Sequence, residues 1–129
     1  MESAPLDHLT ILSRDAGAAA RFYGVLLPLL GFSRRGPTIW ANGQGLFLQF
    51  RAAAEGTADY GRHAPGLNHF GFRAHGPDHV HTVKAAMDEA GIEARLQTFG
   101  DGTLALFIPD PDGLRVELAW YPPGVDPVN

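Results

Sequence analysis

Two histidines and one glutamate lie in runs whose alternation of apolar and polar residues is typical of β-strands. His8 lies in the run LDHLTIL, His69 in LNHFGFR and Glu117 in LRVELAWY. Because successive strand residues point to opposite faces, the apolar neighbours predict a buried face and leave these three side chains on the other. Two imidazoles and a carboxylate form a ligand set that suits Zn, Fe, Mn, Ni or Co and leaves positions open for water or substrate.

Glu117 carries the most information in this set. A carboxylate flanked by Val116 and Leu118 is costly to bury unless it is paired with a charge or bound to a metal. The alternative is a solvated outer face on which Glu117 pairs with Arg115 or with a neighbouring strand. Each histidine taken alone also fits an exposed or internally hydrogen-bonded imidazole. The three residues together, on like faces, favour a metal site.

Three arginines share strand faces with candidate residues. Arg73 shares a face with His69, Arg115 with Glu117, and Arg51 with Gln49 of the run LFLQFR. We hypothesise that one or more of them bind an anionic group such as a carboxylate, an enediolate or a phosphate. The alternative is that their long side chains reach solvent at the strand ends or neutralise Glu117. Aromatic candidates for a ligand wall are Trp40, Phe47 and Tyr121, although aromatic strand residues more often belong to a core.

The composition of the 129-residue chain narrows the class of protein. The absence of cysteine excludes disulfides, thiolate zinc sites and cysteine nucleophiles, so a metal would need nitrogen and oxygen ligands. A net charge of -4 with scattered basic residues argues against nucleic-acid binding. No segment approaches the roughly 18 consecutive apolar residues of a membrane span, and the first residues lack the features of a signal peptide. We therefore expect a cytoplasmic protein with a small-molecule ligand and no nucleic-acid or membrane partner.

The order of predicted elements repeats once along the chain. Asp15 can cap a helix over about residues 16–27, after the strand that carries His8. Pro77 suits the start of a second helix with an apolar stripe, after the strand that carries His69. We therefore predict an α+β fold of two βαβββ modules, at about residues 6–52 and 66–121. A linker at about 53–65 joins them within one domain over residues 1–129.

Three motifs resemble those of the vicinal oxygen chelate superfamily, which includes glyoxalase I, bleomycin resistance proteins and extradiol dioxygenases. They are LDHLT at 6–10 with ARFY at 20–23, GLNHFGF at 66–72, and DPDGLRVEL at 110–118. The resemblance covers about residues 6–121. It implies that the modules form a cupped, partly open eight-stranded barrel with the helices outside. It also implies a divalent metal in the cup on His8, His69 and Glu117, with Gln49 at the remaining ligand position.

The function that this resemblance implies depends on Gln49. Many glyoxalase I enzymes have glutamate there as ligand and base, whereas glutamine has no titratable proton and cannot act as the base. The His, Gln, His and Glu set looks like methylmalonyl-CoA epimerase. We expect a metal-dependent lyase or isomerase for a small, anionic, oxygen-chelating substrate, with a catalytic base that the sequence does not identify.

Other members of the superfamily leave alternatives open. One is a non-catalytic protein that binds a drug or metabolite, as bleomycin resistance proteins do, and another is an Fe(II) extradiol-type dioxygenase. A thiol transferase of the fosfomycin-resistance kind is less well supported, since no oxyanion-binding signature is visible. The resemblance also implies a homodimer.

Overall fold

The computed structural model describes residues 1–127 of the chain. Val128 and Asn129, which the predicted domain includes, lie outside the described residues. The chain divides into two compact units, of which unit 1 is Met1–Asp59 and unit 2 begins at Tyr60. This division falls inside the segment 53–65 that the sequence predicts as a linker. Over the described residues, the helices are too short or too polar to cross a bilayer.

Unit 1 consists of one helix and a four-stranded sheet. Its elements are β1 (His8–Ser13), α1 (Ala16–Leu29), β2 (Phe32–Gly36), β3 (Ile39–Asn42) and β4 (Phe47–Ala52). The strand order is β1-β4-β3-β2, and β1 pairs in parallel with β4, which requires a crossover connection between them. Asp15 caps α1 as predicted, because its carboxylate accepts a hydrogen bond from the amide of Ala18. The helix runs a little beyond its predicted end, to Leu29.

Unit 2 repeats this arrangement. Its elements are β5 (His69–Arg73), α2 (Pro77–Glu89), β6 (Arg95–Thr98), β7 (Leu104–Pro109) and β8 (Arg115–Trp120). The strand order is β5-β8-β7-β6, with β5 parallel to β8. Pro77 opens α2, and the predicted apolar stripe is completely buried at Val80, Val83 and Met87. The prediction of an α+β fold built from two βαβββ modules is therefore confirmed, with the eight strands in two separate sheets.

The alternation predicted for the strands decides which face of each sheet is buried. Ile11 and Leu48 in unit 1, and Val116 and Leu118 in unit 2, are at most 5% exposed. These side chains belong to the apolar faces that the sequence predicts. The residues between them along each strand point the other way, so the opposite face of each sheet carries the polar candidates.

Candidate metal centre

The side chains of His69 and Glu117 converge on one face of the unit 2 sheet. In the parallel pair β5 and β8, His69 lies opposite Arg115 and Gly71 lies opposite Glu117, so His69 and Glu117 are diagonal neighbours. Nε2 of His69 and Oε1 of Glu117 are 3.8 Å apart, and the two side chains are 30% and 14% exposed. The structure thus brings together two of the four predicted ligands.

Gly71 leaves the space that the Glu117 carboxylate occupies. A Cβ atom at this position would lie 3.3 Å from Oε2 of Glu117, closer than ordinary van der Waals contact. The missing side chain lets the carboxylate lie across β5 toward His69. In unit 1 the corresponding position is Thr10, opposite Gln49, and the Thr10 hydroxyl donates a hydrogen bond to Oε1 of Gln49 at 3.3 Å.

The hydrogen bonds of Asn68 fix the orientation and tautomer of His69. Nδ2 of Asn68 donates to the carbonyl of Arg62 at 2.9 Å, and Oδ1 accepts from Nη2 of Arg115 at 3.3 Å. Because these partners distinguish the amide nitrogen of Asn68 from its oxygen, the atom that faces Nδ1 of His69 is Oδ1, at 2.7 Å. Nδ1 must therefore be the donor, so that in the neutral ring Nε2 carries a lone pair directed toward Glu117. Ligating histidines are usually held in this way by a second hydrogen bond.

Removing this hydrogen bond gives a test of its role. We expect Asn68→Ala to weaken metal binding by about 10- to 100-fold, since the ring loses the acceptor that orients it. Asn68→Asp is the matched control, because it keeps an acceptor for Nδ1 and should retain most of the affinity. Competition against a chromophoric chelator measures both. Equal affinity of the alanine and aspartate variants would contradict the proposed role of Asn68.

The second pair of predicted ligands lies in unit 1 and occupies the equivalent positions in the strand register. His8 lies opposite Phe47 and Thr10 lies opposite Gln49, so His8 and Gln49 are diagonal neighbours, as His69 and Glu117 are in unit 2. Nδ1 of His8 contacts Oδ2 of Asp7 at 2.7 Å, which leaves Nε2 free to act as a ligand. The side chains of His8 and Asp7 are 62% and 80% exposed.

The predicted ligand set is therefore divided equally between the two units. Within residues 1–127, no three or more His, Asp or Glu side chains come together closely enough to hold a metal ion. Each unit contributes one imidazole and one oxygen-bearing side chain, on the polar face of its own sheet.

A cavity of about 330 Å³ adjoins His69 and Glu117 in unit 2. Arg115 and Tyr121, both predicted to bind substrate, line it together with Phe107. Its size falls in the lower part of the range usual for small-molecule sites. A small molecule in this cavity would lie beside the His69 and Glu117 side chains.

Arg115 has unused capacity to bind an anion. Its guanidinium lies 5.0 Å from the centre of the Phe107 ring, and it donates one hydrogen bond, to Asn68. Nε is buried and has no hydrogen-bond partner among the described residues. Burial lowers the pKa of Arg115 and the nearby charges of Arg62 and Arg95 lower it further, yet the group stays protonated. A bound carboxylate or phosphate would offset the positive charges of Arg115, Arg62 and Arg95 and would accept a hydrogen bond from Nε of Arg115.

Tyr121 is a hydrogen-bond donor at the same cavity. Burial raises the pKa of its phenol, the negative charge of Glu117 raises it further, and the Arg73 guanidinium partly opposes this. The hydroxyl therefore keeps its proton at neutral pH. Arg73, which was also predicted to bind substrate, does not line this cavity, and its guanidinium lies 5.2 Å from the centre of the Tyr121 ring.

The remaining predicted residues lie in unit 1 and fall into two groups. Phe47 is 39% exposed and shares the polar face with Gln49, as predicted. Trp40 lies directly opposite Leu48 in the antiparallel pair β3 and β4, so it belongs to the apolar face and not to the face of Gln49. Arg51 and Trp40 line a different cavity, which is described below.

Three residues near the centre were not identified from sequence. Asp7 and Asn68 each immediately precede a candidate histidine, and the Asp-His and Asn-His pairs were the available signal. Each histidine is the first residue of its strand. Strand alternation therefore does not predict where the side chain of the preceding residue, Asp7 or Asn68, lies. Phe107 lies opposite Glu117 in the pair β7 and β8, which only the strand register reveals.

The fold and this arrangement define a known class of protein. The model of the Glyoxalase/Bleomycin resistance protein/Dioxygenase superfamily matches residues 5–118, and the chain belongs to this superfamily. A search of curated protein sequences gave no significant match.

Solved structures share the fold at low sequence identity. A glyoxylase/bleomycin resistance protein/dioxygenase domain from Frankia sp. EAN1pec is 20% identical with a TM-score of 0.78, covering 96% of each chain. A lactoylglutathione lyase from Agrobacterium tumefaciens is 24% identical with a TM-score of 0.63, covering 92% of this chain and 94% of that one. The oxidase ChaP-H1 is 20% identical with a TM-score of 0.66, covering 95% of this chain and all of the other.

Proposed function

We propose that the protein is a metal-dependent enzyme of the lyase or isomerase type, acting on a small anionic substrate that chelates through two oxygens. The observation that carries this proposal is the pair formed by His69 and Glu117. The imidazole lone pair and the carboxylate oxygen face one another at 3.8 Å, beside a cavity that contains the cationic Arg115.

This pair suits a cation because both of its atoms are hydrogen-bond acceptors. Neither can donate to the other in the neutral form of His69, so the two atoms attract a positive charge between them. Ligand distances of about 2.0–2.2 Å separate two ligands of one ion by about 3.0–3.5 Å, slightly less than the observed 3.8 Å. A small movement of either side chain would complete the fit. His8 and Gln49 would supply the other half of the ligand set.

The side chains around the cavity indicate what each would do. A divalent ion, Zn, Ni, Co, Mn or Fe, would supply Lewis-acid stabilisation of negative charge on a substrate oxygen. Arg115 would orient the anionic end of the substrate through charge-assisted hydrogen bonds. Tyr121, which keeps its proton, would donate a hydrogen bond to a second polar group. Gln49 cannot take up a proton, so it would act as a ligand only.

We further propose that the protein works as a homodimer in which unit 1 of one protomer and unit 2 of its partner each supply two ligands. One observation supports this. The polar face of unit 1 exposes large apolar side chains, Leu12 at 57% and Phe47 at 39%, which a partner subunit would cover.

The metal bound by the purified protein and its reactivity test the proposed function together. We expect one Zn, Ni, Co or Mn ion per site after reconstitution, and metal-dependent exchange of deuterium from solvent at the carbon beside a carbonyl. Oxo acids and thiohemiacetals are suitable trial substrates. Bound iron with oxygen consumption would indicate a dioxygenase instead. A ligand-binding protein without catalysis would show no metal after reconstitution and no exchange.

A further inference from the structure

Unit 1 contains a second cavity, of about 310 Å³, between α1 and the apolar face of its sheet. It lies on the opposite face from Gln49, because Phe50 and Trp40 form part of its wall. We propose that this cavity binds a flat aromatic carboxylate, separately from the candidate metal centre.

The cavity exists because α1 presents small residues where a helix normally presents large ones. The lining positions on α1 follow a helical spacing, with Ala16, Ala19, Ala20 and Gly24 around the single large residue Tyr23. Elsewhere along its length α1 buries the large residues Phe22, Leu26 and Leu27, so the gap is confined to the part of the helix surface that carries the small residues.

A buried hydroxyl without a partner points into this gap. Ser13 is only 2% exposed and lines the cavity, and its Oγ has no hydrogen-bond partner within the described chain. A buried polar group without a partner costs about 1–3 kcal/mol, so such groups are nearly always satisfied by something. A ligand with a polar substituent at its inner end would satisfy Ser13.

The remaining walls of the cavity define the chemistry of that ligand. Tyr23 and Phe50 lie with ring centres 4.4 Å apart, and Trp40 adds a third aromatic surface, which suits a flat apolar ring. Arg34 and Arg51 are the charged residues of the lining, and none of the lining residues, which all lie within 13–52, is acidic. Arg51 lies two residues after Gln49 in β4, so strand alternation directs its side chain to the face of Gln49. Arg34 lies opposite Trp40 in the pair β2 and β3, on the face of the cavity, and its guanidinium is 5.9 Å from the centre of the Trp40 ring. Nε and Nη2 of Arg34 donate to the carbonyls of Gly36 and Pro37, which leaves Nη1 to bind a carboxylate.

Titration with 2-naphthoate, followed by calorimetry, tests this inference, with 2-naphthamide as the uncharged control. We expect saturable binding of one naphthoate per chain and weaker binding of the amide. Arg34→Gln should weaken naphthoate binding by about tenfold. Ser13→Ala should weaken binding of 6-hydroxy-2-naphthoate by about 2- to 10-fold and leave 2-naphthoate unaffected, because only the hydroxylated ligand has a polar group for the Ser13 hydroxyl. Gly24→Leu should abolish it, because a Cβ at Gly24 meets no atom within 4 Å and the added side chain would occupy the gap.

Two controls separate this site from the metal centre and from loss of folding. Ala85→Leu adds the same side chain to an exposed position on α2 and should bind naphthoate as the wild type does. The metal-site variants His69→Ala and Glu117→Gln should also bind it normally, whether or not the protein is an enzyme. Thermal unfolding verifies that each variant is folded. Absence of saturable binding, or binding that survives in folded Gly24→Leu, would overturn the proposal.

Discussion

Substitution of His69 by alanine is expected to abolish stoichiometric metal binding. The variant loses the candidate nitrogen ligand of unit 2 and leaves the Glu117 carboxylate without the group that faces it at 3.8 Å. Loss of a direct ligand should exceed the 10- to 100-fold effect typical of removing a supporting hydrogen bond, so we expect a decrease in affinity of more than about 100-fold. Elemental analysis after reconstitution and dialysis gives the occupancy. Any metal-dependent activity should be lost in parallel.

Two further variants make this result interpretable. Glu117→Gln keeps the size of the side chain but removes its charge, and it should also reduce occupancy strongly. His81→Ala removes an exposed histidine on α2 and should leave the metal content unchanged. Full occupancy in both His69→Ala and Glu117→Gln would show that the metal, if bound, lies elsewhere, and would remove the basis of the proposed function.

Mixing His8→Ala with His69→Ala is expected to restore about one quarter of the wild-type sites. In a symmetric dimer, half of the randomly re-formed dimers contain one protomer of each kind. If unit 1 of one protomer and unit 2 of its partner share a site, each mixed dimer has one site with both histidines and one site with neither. Each variant by itself should bind no metal, because every site then lacks one histidine.

The mixture is measured after the two variants are dissociated, combined and refolded together. Metal occupancy and molecular mass in solution are recorded on the same sample. Refolding each variant separately is the control for recovery of the native protein. A mixture that stays dimeric but binds no metal would place all four ligands of a site in a single protomer. A monomer that binds metal as the wild type would contradict the dimer proposal altogether.

Strand alternation was sufficient to predict the buried and polar faces of the strands that carry His8, Gln49, His69 and Glu117. Glu117 between Val116 and Leu118 defined a polar position in an apolar run, and the structure places it beside His69. The α+β architecture was predictable as well, because the repeat of strand, helix and strands appears directly in the order of the residues. These features depend on local periodicity, which a sequence displays without any knowledge of distant contacts.

Features that depend on register were not predictable in the same way. Trp40 was expected to wall the ligand site, but its pairing with Leu48 places it on the apolar face. Phe107 lies opposite Glu117 only because β7 and β8 pair in one particular register. The role of Asn68 depends on backbone that precedes the strand. Each of these requires the alignment of two segments, which no single run of residues specifies.

The two halves of the repeat place their negative charges differently. In unit 1 the carboxylate of Asp7 lies behind the imidazole and a neutral amide, Gln49, stands beside it. In unit 2 the neutral Asn68 lies behind the imidazole, and the carboxylate of Glu117 stands in front. A centre assembled from identical halves would offer a substrate two equivalent orientations. In the proposed centre this exchange of charge would break the equivalence, so a chelating molecule would meet an anionic flank on one side and a neutral flank on the other, and would bind in a single orientation.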